Sequence, residues 1–181
     1  MSRPKAISPV LAFSLTLGAC ASTPETAFER EELVNAARMA VQDMERQDAT
    51  LRPILNDSAG YAVYPGVGEA AFIAGATMGE GVVFEKGEVV GFSNLNAGSV
   101  GAQVGGQTFD QLVIFKTSDA LERLKLGNFS FSADIGATAV ASGASARATF
   151  QDGVAVLIEG EKGVMAKLSI GGQQLDFEPR R

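Results

Sequence analysis

Between residues 26 and 58, apolar positions recur at the spacing of a helix. Leu33, Val34, Ala37, Val41 and Met44 share one side, and Glu29, Arg30, Glu31, Glu32, Arg38, Asp43, Glu45 and Arg46 fill the other. Thr26 and Glu29 have the spacing of a capping box, and Thr23-Pro24 offers an earlier start, so the helix is predicted to begin near one of these threonines. Arg52-Pro53 is expected to end it, because the residue before a proline is pushed out of the helical region. Residues 54–57 then lead, as a short helix or loop, into a strand at 61–65.

From residue 66 to 106 the pattern changes. Glycine stands at 66, 68, 75, 79, 81, 87, 91, 98, 101, 105 and 106. Each interior glycine would cost a helix ~1 kcal/mol, so short strands with bends and bulges are predicted. Residues 82–85 and 88–92 flank Lys86-Gly87 as a hairpin. Residues 108–116, with Leu112-Val113-Ile114-Phe115 at the centre, read as a strand covered on both faces. Ser118-Asp119 is expected to cap a short helix over 120–125 that stops at Gly127. Residues 129–135 alternate with period two. Asp152-Gly153 is the strongest hairpin signal, joining 148–151 to 154–158, and Glu161-Lys162-Gly163 turns the chain into 164–170. The fold class is therefore α+β: a β-rich antiparallel meander, as a twisted sheet or partly closed barrel, with N-terminal helices and one short internal helix.

The first residues follow a different logic. Arg3 and Lys5 precede an apolar run at 10–17, which closes on Leu17-Gly18-Ala19-Cys20. A positive head, a short apolar middle and small residues make a signal peptide, and the run is far below the ~20 residues of a spanning helix. Leu-Gly-Ala-Cys resembles the lipobox of bacterial lipoproteins, which implies cleavage before Cys20 and acylation of it. The chain divides into a signal peptide (1–19), a lipidated tether (20–25) and one domain (26–181), with a helical part to 58 and a glycine-rich β part from 59. Ala21, in place of an aspartate, implies sorting to the outer membrane, with the domain facing the periplasm.

Residues 1–19 carry two basic residues of 15 and no acid, so the remainder holds 13 basic and 21 acidic residues, a formal charge of −8. That balance argues against a nucleic-acid partner. The chain has no histidine, no tryptophan and one cysteine, which excludes internal disulfides, Cys–His and Ser–His–Asp nucleophilic sites and the usual zinc sites. No cofactor or metal is expected. Gly66-Val67-Gly68-Glu69-Ala70-Ala71 fits a loose dinucleotide fingerprint, but Gly75, Gly79 and Gly81 fall in the helix that such a loop must open. Glu80, Asp110 and Asp134 are the carboxylates in the most apolar settings. A pair of them would suit acid–base work, and the commoner role is to accept backbone N–H bonds at a turn or bulge. The helix near the anchor suits either a membrane surface or a core-covering role, and its mixed polar face favours the core. The small-residue run at 97–106 leaves room for a close backbone, a helix or an acyl chain.

Several stretches together resemble the SYLF family, also called Ysc84-related or DUF500. These are Tyr61-Ala62-Val63-Tyr64-Pro65, the glycine-rich segment 74–83, the small-residue core 97–107, the strand-then-helix 112–121, and Glu161-Lys162-Gly163-Val164-Met165-Ala166. The chain departs from the family at Asn128-Phe129, where a tryptophan is usual, and at Gly91-Phe92-Ser93, where a tyrosine pair is usual. The resemblance implies a non-catalytic phospholipid-binding domain. Arg38, Arg46, Arg52, Lys86, Arg123 and Lys125 are the candidate headgroup contacts. Arg30, Arg38 and Arg46 drift ~80° per eight-residue step around a helix, which is compatible with one broad face, and the preferred reading is a solvated face of mixed charge. The alternative reading is an envelope adaptor that binds protein partners, the lipid serving only as anchor.

Overall fold

The computed structural model describes residues 24, 26–69, 76–98, 108–127, 129–131, 137–160 and 172–180. Helix α1 (Ala27–Gln47) starts at Thr26, whose hydroxyl accepts from the Glu29 N–H while the Glu29 carboxylate accepts from the Thr26 N–H, closing the expected capping box. The helix ends at Gln47, six residues before Pro53. Asp48 takes extended backbone angles and its carboxylate accepts from the N–H and hydroxyl of Thr50, so a side-chain turn, not the proline, breaks the helix. Pro53 sits in the first turn of α2 (Leu51–Asp57), where its missing N–H costs nothing.

Strands β1 (Gly60–Glu69), β2 (Ala76–Glu85) and β3 (Glu88–Gly98) form an antiparallel meander, and β4 (Thr108–Phe115) pairs with the far side of β1. The spatial order β3-β2-β1-β4 is a Greek key rather than the simple meander expected from the pattern. Helix α3 (Ser118–Lys125) follows, capped by the Thr117 hydroxyl on the Ala120 N–H; the cap lies one residue before the expected Ser118. Strands β5 (Phe129–Phe131), β6 (Ala137–Ala139), β7 (Val154–Glu159), β8 (Gln173–Leu175) and β9 (Glu178–Pro179) complete the sheet. β7 pairs antiparallel with β4 and parallel with β6, so the sheet is mixed.

Two turns behave as read. Lys86 and Gly87, and Asp152 and Gly153, have positive φ at both positions, the geometry that matches strand twist in a two-residue hairpin. The strand expected at 148–151 is reduced to a single bridge, Gln151 to Val154, after a 3₁₀ turn at Ser145–Arg147.

The sheet curls into a half-barrel. β4 and β8 are separated in the sheet by β1, β2 and β3, yet Gln111 and Gln173 exchange side-chain amide hydrogen bonds of 2.8 and 3.1 Å. The Phe115 and Phe129 rings likewise meet edge-on at 5.6 Å between β4 and β5. The concave side is filled by Tyr64, Leu95, Val113, Phe115, Val156, Ile158 and Leu175 and is covered by Leu121 and Leu124 of α3. On the convex side, Ala37, Ala40, Val41 and Met44 of α1 and Leu51 and Leu55 of α2 pack on Val63, Val82, Phe84, Phe92, Leu112, Ile114 and Leu157. The buried stripe of α1 thus covers the core, and β4 is buried on both faces from Gln111 to Phe115.

Candidate functional site

The six candidate headgroup cations fall into two groups on opposite faces of the sheet. Arg38, Arg46 and Arg52 belong to α1 and α2 on the convex side; Arg123 and Lys125 belong to α3 on the concave side. Arg46 pairs with Asp43, and Arg52 pairs with Glu45 at 2.7 Å. The Arg38 guanidinium lies 5.6 Å from the centre of the Phe84 ring. Lys125 bridges Glu85 at 2.8 Å and Glu122 at 3.0 Å, and these carboxylates hold its pKa above the ordinary lysine value. That bridge brings α3 against the β2–β3 turn, whose Lys86 is exposed. Arg123 donates to the Asp152 carbonyl at 2.7 Å and lies over Phe129. Among the described residues, Arg38, Lys86 and Arg123 are the three of the six with no ion pair, and Arg123 is taken up by the Asp152 carbonyl. Cys20 lies outside the described residues.

Of the three candidate carboxylates, Asp134 also lies outside them. Asp110 has a backbone task. Both ladders of β1 gain one residue around Pro65-Gly66, and the N–H of Gly66 (φ +61°) donates to Asp110 Oδ1 at 2.7 Å. The carboxylate therefore satisfies a bulge, as such residues commonly do. Glu80 is half-buried on β2, and burial together with the nearby Glu29 raises its pKa.

Sequence reading missed Glu159. It sits directly across the β4–β7 ladder from Asp110, in an open cleft of about 400 Å³ bounded by Gln47, Thr108 and Gly160. Gln47 donates to Glu159 Oε1, while Oε2 is buried without a hydrogen-bond partner. Burial and then the Asp110 charge raise the pKa of Glu159. Its only sequence signal is the polar residue closing the apolar run 154–158. Among the described residues, no group of three or more carboxylate or thiol ligands converges on a metal position.

The glycine-rich sheet is filled where it is described. A Cβ on Gly81 would fall 2.4 Å from the Tyr64 ring, one on Gly91 2.4 Å from the Phe177 ring, and one on Gly79 2.9 Å from Val67. These glycines make room for side chains of the same domain. The Tyr64 hydroxyl, fully buried, is 2.7 Å from Ser93 Oγ, which donates to the Asp176 carbonyl; burial raises the tyrosine pKa. The run at 99–107 lies outside the described residues.

Among the described residues, three large apolar side chains remain in solvent: Phe28 (69% exposed), Met39 (63%) and Leu126 (83%). Phe28 and Met39 are eleven positions apart on α1, a drift of only ~20°, along the ridge opposite the buried stripe. Beside Phe28, Arg30 joins three parts of the chain. Its Nε donates to the Pro24 carbonyl at 2.9 Å, its Nη2 meets Glu178 Oε1 at 2.9 Å, and its guanidinium stands 5.3 Å from the Phe92 ring centre. Among the described residues, no helix is long and apolar enough to cross a membrane.

Residues 96–179 match the family model Ysc84, described as Las17-binding protein actin regulator. The matched span runs from the end of β3 through β9 and omits α1, α2 and the first two strands. No curated protein matches the chain.

Proposed function

We propose, from a chain whose residues 96–179 support membership of the SYLF family, that it is an outer-membrane lipoprotein facing the periplasm. Cys20 carries the acyl anchor, and the SYLF-like domain is a non-catalytic module that binds phospholipid. SYLF domains are generally binding rather than catalytic domains, and the described carboxylates support that role. Asp110 satisfies a bulge, Asp48 a loop and Asp176 a strand end. The observation that carries the lipid reading is the exposed Phe28–Met39 ridge of α1, which begins eight residues after Cys20. Apolar side chains left in water beside an acyl anchor lower their free energy in a lipid interface. Arg38 and Lys86, the two candidate cations with neither an ion pair nor a hydrogen bond among the described residues, are the preferred headgroup contacts.

A second reading is favoured by the pairing of Arg46, Arg52 and Lys125 with acids, which removes charge from any headgroup site. In it the domain is an adaptor. The matched family's description names binding to Las17 and regulation of actin, which makes a protein partner its natural counterpart. Vesicle flotation of a Cys20→Ser form without residues 1–19 separates the two. Flotation that Phe28→Ser and Met39→Ser abolish supports the lipid module; a domain that never floats supports the adaptor.

A further inference from the structure

The Arg30 contacts fix where the chain enters the domain. Pro24 is buried, its carbonyl is held by Arg30, and the same guanidinium ties down Glu178 of β9 and covers Phe92 of β3. Four residue steps from Cys20 to Pro24 reach at most ~14 Å when fully extended. An acylated Cys20 therefore cannot sit far from one edge of the domain, the edge made by the first turn of α1 and strand β9. Phe28 is on that turn and points away from the buried stripe. Met39 continues the same ridge ~16 Å along the axis. Leu126 is more exposed than either, but it follows α3, on the opposite face of the sheet. The edge is acidic: Glu29, Glu31 and Glu32 belong to the first turns of α1, and the charge of Arg30 is taken up by Glu178.

We propose that the edge formed by the first turn of α1 and strand β9, held to the anchor by Arg30, is the surface this domain lays on a zwitterionic phospholipid bilayer, with Phe28 entering the interface. This rests on the reading of Cys20 as acylated. An acidic edge is repelled by anionic headgroups, so the docking is apolar, is weakened by anionic lipid and recovers as salt screens that repulsion.

The chain contains no tryptophan, so Phe28→Trp and Leu126→Trp each install a single fluorescent reporter at an exposed site. The full chain, expressed so that it is processed, is weighed by mass spectrometry. It is then reconstituted into phosphatidylcholine vesicles, with and without brominated acyl chains. The expected result is an acylated chain in which the Phe28→Trp reporter emits at shorter wavelength and loses intensity to bromine. The Leu126→Trp reporter does neither, and adding phosphatidylglycerol weakens the Phe28→Trp response at low salt but not at high salt. Arg30→Gln frees the entry point and removes the difference between the reporters. An acylated chain whose reporters are quenched alike overturns this inference alone. A chain with unmodified Cys20 overturns the anchor reading and this inference together.

Discussion

Asp48 offers the sharpest test of how the helical part is joined to the sheet part. Its Oδ1 accepts from the Thr50 N–H at 3.0 Å, the Thr50 hydroxyl at 2.7 Å and the Gly143 N–H at 3.0 Å, and its Oδ2 accepts from the Ser145 N–H at 2.7 Å. The residue is fully buried. Burial alone would raise its pKa, but the hydrogen bonds from Ser145 and Thr50 outweigh burial and hold it well below the ordinary aspartate value. Asp48→Ala orphans three backbone N–H groups. At roughly 1–3 kcal/mol for each hydrogen bond to a charged group, discounted for the water that reaches the loop, the loss is about 3 kcal/mol. For a domain of this size that is a fall of about 6–12 °C in Tm. Asp48→Asn keeps the Oδ1 bonds but turns a donor toward the Ser145 N–H, so it loses roughly half as much. The depressed pKa fixes the sign of the pH dependence. The contribution is complete above the unfolded aspartate value of about 3.9 and disappears as pH falls from there toward the lower folded value. Urea melts of the soluble Cys20→Ser form, wild type against Asp48→Asn, check this. The gap should be constant from pH 8 to 5 and narrow progressively below pH 4. A loss under about 1 kcal/mol for Asp48→Ala, or a gap that does not narrow between pH 5 and pH 2.5, refutes the account of this junction.

Three other perturbations follow from close packing and buried polar groups. Gly91→Ala would drive a methyl group into the Phe177 ring and the Glu178 carbonyl, so it should cost more than about 2 kcal/mol in urea melts and expose the C-terminal strand to protease. Tyr64→Phe removes the buried hydroxyl from Ser93 and should cost about 1 kcal/mol by the same assay, with no change in vesicle flotation. Glu159→Gln should stabilise the domain at pH 7 and leave it unchanged near pH 4. A raised carboxyl pKa penalises the folded state only as pH climbs past the unfolded value, and equal stabilisation at both pH values would refute the charge explanation.

Local chemistry was legible in the sequence wherever one or two residues decide the backbone. Thr26 with Glu29, Lys86-Gly87 and Asp152-Gly153 stand where their side chains and positive φ values required. The order of strands was not legible, because β4 pairs with β1 and β8 pairs with β3 across long stretches of chain, and no local pattern encodes such partners. The partners of buried polar residues were hidden in the same way. Gln111 looks like an interruption of an apolar strand, yet it is fully buried because Gln173, 62 positions on, completes its amide bonds. Asp48 and Thr117 replaced the expected helix stop and cap because their oxygens reach backbone N–H groups that Pro53 and Ser118 leave alone. In the candidate site, the charges of Arg46, Arg52 and Lys125 were visible, but not the acids that pair with them. Glu159 drew no notice because Asp110 becomes its neighbour only across the β4–β7 ladder.

The central claim is that the domain itself, and not only Cys20, meets phospholipid. The most direct measurement is lipid extraction and mass spectrometry of the Cys20→Ser protein purified without its signal, followed by flotation with phosphatidylcholine vesicles. The account predicts co-purifying phospholipid or flotation that depends on Phe28 and Met39. A protein that carries no lipid and stays at the bottom of the gradient contradicts it and leaves the anchor as the sole contact with the membrane.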